Sequence, residues 1–265
     1  MEELSRKEVL KRIEVCEKER KFDEHVDPID YNNYIPIDDN YKYQKKGFKE
    51  NLKNLLLSIF IVKPFTKKVN KDFKTEVVGF DNLKGIKSAI ITCNHVNKFD
   101  CLVVKKAVGK KKLFVTAGYF NNQKGRFGDY MRAGGMIPIP DSHKYMRDFD
   151  EIINKKLKKN YVLFYPEQSM WWNYKKIRPF KNGAFHYAVK NKVPVIPMFI
   201  TFKDLNENDS EGLKLQKFYI HILKPIHMKD NLNFHENIDY LKETAYEGCV
   251  KIYEEFYNKK MEYIR

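Results

Sequence analysis

Residues 88–104 read SAIITCNHVNKFDCLVV, and they set the architecture expected for the whole chain. The stretch starts with a continuously apolar run at 88–93, which is typical of a strand buried on both faces of a sheet. A polar turn follows, and the apolar spacing then becomes helical from about Phe99 or Asp100. A buried strand that leads directly into a helix is the repeating unit of α/β proteins.

The same alternation extends in both directions from this stretch. Strand-like runs also occur at 75–80, 113–117, 136–140, 161–165, 194–202 and 218–223. Helical patterns occur near 99–108, 121–132, 143–158 and 180–191, and an apolar stripe at 236–264 predicts a terminal helix. The fold class predicted for residues 75–265 is therefore α/β, a mixed central sheet flanked by helices. Pro194 and Pro197 lie in one strand-like run and predict an edge or irregular strand.

Residues 1–74 are predicted to form an N-terminal extension of helices and linker. Residues 1–24 have a charged helical pattern, and residues 25–46 predict an extended linker or an arm wrapped on the domain. From 47 to 71 the apolar residues follow helical spacing. Lysines flank this stretch at Lys45, Lys46, Lys49, Lys53, Lys63, Lys67 and Lys68. Two interpretations stand: a helix packed on the domain, or an interfacial helix with its apolar face in lipid and its lysines at anionic headgroups.

Composition and charge restrict the function classes. The 265 residues carry a net charge of +15, although the first 40 carry −5. A basic body favours phosphate-rich ligands or an anionic membrane surface, and because no nucleic-acid-binding module is recognisable, nucleic acid is not expected as a partner. The four cysteines lack metal-type spacing, so reduced thiols and no metal are expected. No apolar run approaches the roughly 20 residues of a spanning helix, and no signal-peptide pattern opens the chain. We therefore expect a peripheral protein on the cytoplasmic face of a membrane.

His95 and Asp100 form the candidate chemical pair. On one regular helix, side chains five residues apart point about 140° apart, so the two meet only if His95 precedes the helix and Asp100 lies in its first turn. Asp100 would then accept a hydrogen bond from Nδ1–H and leave Nε2 as a general base. The sequence has no G-x-S-x-G, so His95 would activate a substrate hydroxyl rather than an enzyme nucleophile. The alternative is a helix-capping Asp100 beside a structural histidine.

A second segment of interest follows the strand-like run at 161–165. The run ends in Pro166-Glu167-Gln168-Ser169, and the apolar residues Met170-Trp171-Trp172 come directly after it, where a loop is expected. These three residues belong either to the core or to an acyl or membrane-facing groove.

Short motifs across about residues 75–205 resemble those of the glycerolipid acyltransferases, a family typified by 1-acylglycerol-3-phosphate acyltransferase. His95 and Asp100 resemble its first block. The further motifs, in the same order as in the family, are Gly135-Met136-Ile137-Pro138-Ile139, Phe164-Tyr165-Pro166-Glu167, Phe180-Lys181 with Gly183-Ala184, and Val193-Pro194-Val195-Ile196-Pro197. Each motif is short, but the order and spacing of the set agree with the family.

The resemblance implies an O-acyltransferase of phospholipid biosynthesis. It would move a fatty acyl group from acyl-CoA or acyl-carrier protein to a hydroxyl of a lysophospholipid acceptor, with no cofactor or metal. By the same resemblance His95 is the base and Asp100 orients it. The sequence does not identify the groups that bind the oxyanion, and we expect backbone N–H groups of the turn after Pro166 to do so. Substrate-binding residues are expected at Asn94, Gly135, Pro166, Glu167, Gln168, Arg178 and Lys181.

The sequence departs from the family pattern at the acceptor end. The family has two arginines that are read as holding the acceptor's phosphate, and Asp141 and Met170 stand in their places here. Gln168 stands where glycine is usual. Other basic residues replace the two guanidinium groups, or the acceptor differs from a simple phosphate. The candidate replacements are Arg178, Lys181, Lys175 and Arg147.

Two further functions remain as alternatives on the sequence. Water in place of the acceptor would make the protein an acyl-CoA hydrolase. Lipid binding without chemistry would make it a non-catalytic membrane or lipid-binding protein.

Overall fold

The computed structural model describes residues 4–44 and 47–264. The strands are β1 Glu76–Val78, β2 Ala89–Cys93, β3 Leu113–Gly118, β4 Met136–Ile139, β5 Tyr161–Phe164, β6 Val195–Asn208 and β7 Lys214–Ile222. The α-helices are α1 Arg6–Lys18, α2 Phe48–Leu57, α3 Lys63–Asp72, α4 Asp100–Ala107, α5 Gly125–Ala133, α6 Met146–Leu157, α7 Gly183–Asn191 and α8 Phe234–Tyr257. Every strand-like run of the sequence corresponds to a strand, with ends that differ by a few residues.

One mixed sheet contains all seven strands in the order β1-β7-β6-β2-β5-β3-β4. Strands β6, β2, β5, β3 and β4 run parallel, β7 is antiparallel to β6, and β1 is parallel to β7. The carboxyl ends of the five parallel strands therefore share one edge of the sheet, where ligand sites of open α/β proteins form. The α/β fold class with a mixed, helix-flanked sheet is confirmed.

Strand β2 lies near the middle of the sheet and is buried along its whole length. Its side chains alternate between two separate cores: Ile90 packs with α6, α7 and α8 on one face, whereas Ile91 packs with α4 on the other. Helices on both faces explain why this strand is apolar at successive positions rather than at every second one.

The expectation of an edge strand at Pro194 and Pro197 is wrong, because β6 lies between β7 and β2. Pro194 precedes the strand, and its carbonyl accepts a hydrogen bond from Ile90 N. The Pro197 carbonyl accepts from Leu223 N, on the side where β7 has already ended at Ile222. The missing N–H of Pro197 therefore faces the end of a neighbouring strand and costs the sheet no ladder hydrogen bond.

Residues 19–44, which follow α1, wrap around the carboxyl edge of the sheet. We call residues 19–44 the N-terminal arm. Trp171 Nε1 donates to the carbonyl of Glu24 at 2.9 Å, Ile35 N donates to the carbonyl of Asn122 at 2.7 Å, and the Tyr43 hydroxyl donates to the carbonyl of Pro138 at 2.9 Å. Of the two alternatives for this segment, the structure shows a wrapped arm.

Trp171 is fully buried in a small core with α1, so of its two interpretations the structure favours core over groove. The adjacent Trp172 is only partly buried and packs against the same cluster.

The predicted helix at 47–71 is continuous from α2 to α3 through a π-helical turn at Ser58–Val62. All ten residues of α2 remain at least partly exposed. In α3, by contrast, Val69 and Asn70 are buried, and Asn70 Nδ2 donates to the carbonyl of Leu102 in α4 at 2.9 Å. The second half of the segment thus has buried residues against the domain, while the first half touches α5 and keeps its apolar residues exposed. Lys45 and Lys46 lie outside the described residues.

Within the described ranges, no helix is long and apolar enough to cross a membrane. The division of the chain at residues 74 and 75 stays a prediction.

Candidate active site

His95 and Asp100 meet where β2 gives way to α4. Strand β2 ends at Cys93, His95 lies in the following turn, and Asp100 is the first residue of α4. His95 Nδ1 and Asp100 Oδ2 are 2.8 Å apart. The geometry expected from their spacing is therefore present, at the edge of the sheet where the parallel strands end.

Asp100 is buried and is surrounded by hydrogen-bond donors. Besides His95, its Oδ2 accepts from the backbone N–H of Val96 at 3.0 Å and of Asn97 at 3.2 Å. Its Oδ1 accepts from the hydroxyl of Tyr165 at 2.5 Å. These bonds point back to the turn and across to β5 rather than into the first turn of α4. Asp100 is thus an organiser of the histidine turn, not the helix cap considered as the alternative.

The pairing fixes the protonation pattern of the imidazole. A carboxylate accepts only, so the proton of neutral His95 lies on Nδ1, and Nε2 keeps its lone pair. The side chain is 23% exposed, and no residue in the described ranges forms a hydrogen bond with Nε2. The arrangement can accept a proton at Nε2 from a group that approaches from solvent.

Tyr165 is a site residue with no role predicted from the sequence. Its ring stacks on the imidazole of His95, with centroids 3.9 Å apart and planes inclined by 15°. Burial, and next the charge of Asp100, raise the pKa of the Tyr165 phenol well above its usual value, so the phenol stays protonated and its O–H donates a hydrogen bond to Asp100 Oδ1. The signal was in the sequence, because Tyr165 belongs to the motif Phe164-Tyr165-Pro166-Glu167.

Glu167 and Arg178 form a buried ion pair behind the histidine turn. Arg178 Nη2 lies 2.9 Å from Glu167 Oε2, and Arg178 N donates to Glu167 Oε1 at 3.0 Å. Glu167 Oε2 also accepts from the backbone N–H of His95 at 3.2 Å. Burial lowers the pKa of the Arg178 guanidinium, and the Glu167 carboxylate opposes that shift. The pair holds the β5 loop against the β2 turn.

This pairing corrects the substrate-binding assignment of both residues. Arg178 is 0% exposed, and its guanidinium also donates to Ser169 and to the carbonyl of Phe22 in the N-terminal arm. Neither Arg178 nor Glu167 presents a charged atom to a ligand. Arg178 therefore does not replace the missing phosphate-binding arginines.

Asn94 and Gly135 also differ from their predicted roles. Asn94 is buried. Its Nδ2 donates to the carbonyl of Ile200 in β6, and its Oδ1 accepts from Ile200 N, so the side chain links the end of β2 to β6. Gly135 precedes β4 and has a φ of 99°, a left-handed value that favours glycine. It lies at the amino end of its strand, whereas His95 follows the carboxyl end of β2, so the two are on opposite edges of the sheet.

The remaining predicted site residues lie in the loop after β5. Pro166 is buried, and its carbonyl accepts from Lys181 N at 2.8 Å. Gln168 is exposed with a φ of 71°, which explains why glycine is usual at this place. Lys181 is exposed, and its Nζ lies 2.6 Å from Asp23 Oδ2 of the N-terminal arm.

Two of the expected oxyanion donors after Pro166 have internal partners. Gln168 N donates to the carbonyl of Tyr165, and Ser169 N donates to the carbonyl of Glu167. Of the other basic candidates, the Lys175 ammonium lies over the rings of Phe202 and Tyr257, and the exposed Arg147 pairs with the neighbouring Asp148.

The N-terminal arm adds a second histidine to the rim of the site. The ring of His25 meets Phe120 edge-on, at a centroid distance of 5.5 Å, and Phe120 comes shortly after β3. The surrounding protein lowers the pKa of His25 by desolvation, and the charge of His95 adds to that lowering against the opposite effect of Glu24. The arm thus places a titratable group against Phe120.

A comparison with protein-family models matches residues 74–201 to the acyltransferase family. Among solved structures, the chain is similar to the crystal structure of the 1-acyl-sn-glycerophosphate (LPA) acyltransferase, PlsC, from Thermotoga maritima. The TM-score is 0.57 at 20% sequence identity, over 82% of this chain and 86% of that chain. No curated protein sequence matches the chain. At this identity the structural likeness shows a shared fold.

The family match spans the four elements that build the site: β2 with its turn, α4, β5 and the loop that follows β5. It therefore coincides with the motifs that resembled the glycerolipid acyltransferases. Residues 74–201 therefore form a domain of the acyltransferase family, and the chain shares its fold with PlsC.

Proposed function

We propose that this protein transfers a fatty acyl group from the thioester of acyl-CoA or acyl-carrier protein to a hydroxyl of a lysophospholipid-like acceptor. The observation that carries the proposal is the His95–Asp100 contact at the carboxyl edge of the sheet, with Nε2 open to a ligand. Its support is the acyltransferase family of residues 74–201 and the fold shared with PlsC, a 1-acyl-sn-glycerophosphate acyltransferase.

The proposed reaction needs one base and no acyl-enzyme. His95 Nε2 takes the proton of the acceptor hydroxyl while the hydroxyl oxygen attacks the thioester carbonyl, and a C–O bond forms. When the tetrahedral intermediate collapses, the C–S bond breaks, and the thiolate takes the proton from the imidazolium. Asp100 keeps the imidazole in the productive tautomer throughout. Because the thioester is already activated, positioning and a base suffice, and we propose that no metal or cofactor takes part.

The acceptor site differs from one built for a simple phosphate monoester. Asp141 is exposed where the family has arginine, and its charge helps raise the pKa of Tyr119, after burial and Tyr31. Met170, at the second arginine position, is partly buried. Since Arg178 is enclosed, two guanidinium forks are replaced here by a carboxylate and a thioether. We propose that the acceptor is a lysolipid whose recognition does not depend on a bare phosphate.

The protein is proposed to bind the cytoplasmic surface of an anionic membrane through α2 and the π-helical turn. Phe48 is 82% exposed and Phe60 is 68% exposed, and further apolar residues of the same segment are exposed beside them. These are Leu52, Leu55, Leu56, Ile59 and Ile61. Lysines border this face, and each is worth about 1 kcal/mol near an anionic surface. The occupant that fits an apolar face within a basic border is an anionic bilayer.

The apolar face reaches the active site through one aromatic contact. Phe65 of α3 is 41% exposed, and its ring meets Phe99 at a centroid distance of 5.4 Å. Phe99 is the residue directly before Asp100. A lysolipid that leaves the bilayer along this face would arrive next to the catalytic pair, which supports a membrane-borne acceptor.

The experiment is an acceptor panel with release of free CoA thiol as readout. Purified full-length protein is given long-chain acyl-CoA alone, or with lysophosphatidic acid, zwitterionic lysophospholipids or monoacylglycerols, and lipid products are separated. We expect acceptor-dependent thiol release and a diacyl product, and a loss of roughly 10²–10⁴-fold in His95→Ala. His227→Ala, at an exposed histidine outside the site, is the matched control.

Two other outcomes would replace this proposal. Thiol release that is independent of every acceptor would make the protein an acyl-CoA hydrolase. Lipid binding with no thiol release from the acyl-CoA or acyl-carrier protein thioester would indicate a non-catalytic lipid-binding protein.

A further inference from the structure

Tyr165 contacts both His95 and Asp100, and it does so without using the two atoms, Nδ1 and Oδ2, that join them. It follows β5, the strand that runs beside β2 in the sheet. The centroid of its ring lies 3.9 Å from that of the His95 imidazole, and its hydroxyl donates a hydrogen bond to Asp100 Oδ1 at 2.5 Å. The bond between His95 and Asp100 uses Nδ1 and Oδ2 instead. The three side chains therefore form a closed triangle.

We propose that Tyr165 is a positioning residue of this active site, which fixes the ring plane of His95 by stacking and engages Asp100 Oδ1 so that Oδ2 faces Nδ1–H. The inference rests on the proposed function for the identity of the base. It goes beyond that function by assigning a role to a residue outside the His95–Asp100 motif.

The hydrogen bonds of Asp100 show why the hydroxyl matters. Oδ2 has three donors, His95 Nδ1 and the backbone N–H groups of Val96 and Asn97. Oδ1 has the Tyr165 hydroxyl. Without that hydroxyl, a buried carboxylate oxygen would lose its partner, and the carboxylate could turn to bring Oδ1 toward the imidazole. The hydroxyl thus selects one orientation of the carboxylate.

The ring and the hydroxyl of Tyr165 make separable contributions. A phenylalanine at position 165 keeps an aromatic face against His95, but it lacks the hydrogen bond to Asp100. A leucine lacks both. Comparing the two substitutions separates the effect on ring orientation from the effect on the carboxylate.

The hydroxyl also has a predictable effect on proton affinity. A hydrogen bond to Asp100 draws on its negative charge, so less of that charge is left to stabilise a protonated His95. The other groups near the imidazole are Asp100 from α4, Glu167 and Arg178 behind its backbone, and His25 from the N-terminal arm. All of these remain when only the hydroxyl is removed. Tyr165→Phe should therefore move the protonation midpoint of His95 upward.

The matched control is Tyr161→Phe. Tyr161 lies at the opposite end of β5 and donates its hydroxyl to the carbonyl of Ile86 at 3.0 Å. This variant also removes one tyrosine hydroxyl, at the start of β5 rather than just after its end, and far from His95. If the effect on His95 came from a general destabilisation of β5, it would appear in both variants.

The test is a ¹⁵N-imidazole NMR titration of His95 in the resting full-length protein, with pH profiles of kcat/KM beside it. In Tyr165→Phe we expect the midpoint of the NMR titration and the acidic limb of the kcat/KM profile to move upward by about half a pH unit or more. We also expect a roughly 3- to 10-fold loss of kcat. Tyr165→Leu should lose more kcat with KM unchanged. Unaltered midpoint and tautomer signals in Tyr165→Phe would overturn the proposal.

A second substitution guards against a folding defect. Site-specific 3-fluorotyrosine at position 165 keeps the fold and makes the hydroxyl a stronger donor, so the midpoint should move downward, and an unchanged midpoint counts against the role. The NMR measurement needs no turnover, so it also separates the two proposals. A shifted midpoint in a protein that transfers no acyl group would retain the positioning role and reject the proposed function.

Discussion

Arg178 and Glu167 form an ion pair with almost no exposed surface, and the same Glu167 oxygen that meets Arg178 accepts the backbone N–H of His95. The pair therefore joins the loop after β5 to the turn that carries the base. Because the charges are enclosed, each depends on the other for stability, and removing one leaves the other buried and unpaired.

Glu167→Gln should destabilise the fold strongly. The uncompensated Arg178 charge would cost roughly 3–5 kcal/mol, and the anchor of the His95 turn would weaken. Urea unfolding followed by circular dichroism measures the free energy. Lys181→Ala, which removes an exposed ion pair with Asp23, is the control and should cost about 1 kcal/mol or less. Equal losses in the two variants would contradict a structural role for the buried pair.

Asp100→Asn should abolish most activity while His95 remains in place. The amide brings two N–H donors into a site where the backbone of Val96, that of Asn97 and the Tyr165 hydroxyl already donate. The imidazole then loses the acceptor that sets its tautomer, and kcat should fall roughly 10²–10⁴-fold. Stopped assays of thiol release measure it. Retention of more than half of the wild-type rate would show that Asp100 does not orient the base.

Gln168→Gly should stabilise the protein. Gln168 adopts a φ of 71°, and a left-handed conformation costs a residue with a Cβ about 1 kcal/mol relative to glycine. Thermal and urea unfolding should show a gain of that size. Glu151→Gly, in the interior of α6, is the control of opposite sign, since glycine within a helix costs about 0.5–1 kcal/mol. A loss in both variants would mean that the Gln168 side chain makes a stabilising contact that outweighs its backbone strain.

Phe60→Glu combined with Leu55→Glu should abolish vesicle binding without unfolding the domain. Both side chains are more than half exposed, so the substitutions leave the core intact while placing charge where lipid is proposed to lie. Flotation with vesicles that contain anionic lipid provides the measurement, and added salt should weaken wild-type binding. Leu215→Glu, at an exposed apolar residue of β7, should float like the wild type. Undiminished flotation of the double variant would place the membrane surface elsewhere.

Acidification should destabilise the protein through His221. Burial lowers the pKa of this histidine, and Thr201 Oγ1 lies 2.9 Å from its Nε2. Because the folded state binds the proton less readily than the unfolded state, the stability from neutral His221 is present above about pH 6.5 and is lost as pH falls through the lowered folded pKa. His221→Gln should flatten the slope of the unfolding free energy against pH below about pH 6.5. Identical slopes would assign the acid sensitivity to other groups.

Local patterns predicted the secondary structure well, because each element carries its own periodicity. The run at 88–93 is apolar at every position, and the structure explains this by burial of β2 on both faces. The five-residue spacing of His95 and Asp100 also predicted their contact, since a strand-to-helix turn is the local geometry that brings them together. The prediction of an edge strand from Pro197 was wrong, because the effect of a missing N–H depends on whether the neighbouring strand has ended beside it.

The chain order of apolar and polar residues was enough to establish an α/β sheet, its helices and the turn that joins His95 to Asp100, because these depend on neighbours in sequence. Tertiary contacts assigned the remaining roles: Tyr165 to the catalytic pair, Arg178 to a buried ion pair rather than a phosphate site, and the N-terminal arm to the rim. The reason is physical. Whether a guanidinium faces a ligand or a carboxylate depends on which distant segments cover it, and residue spacing along the chain does not record that burial.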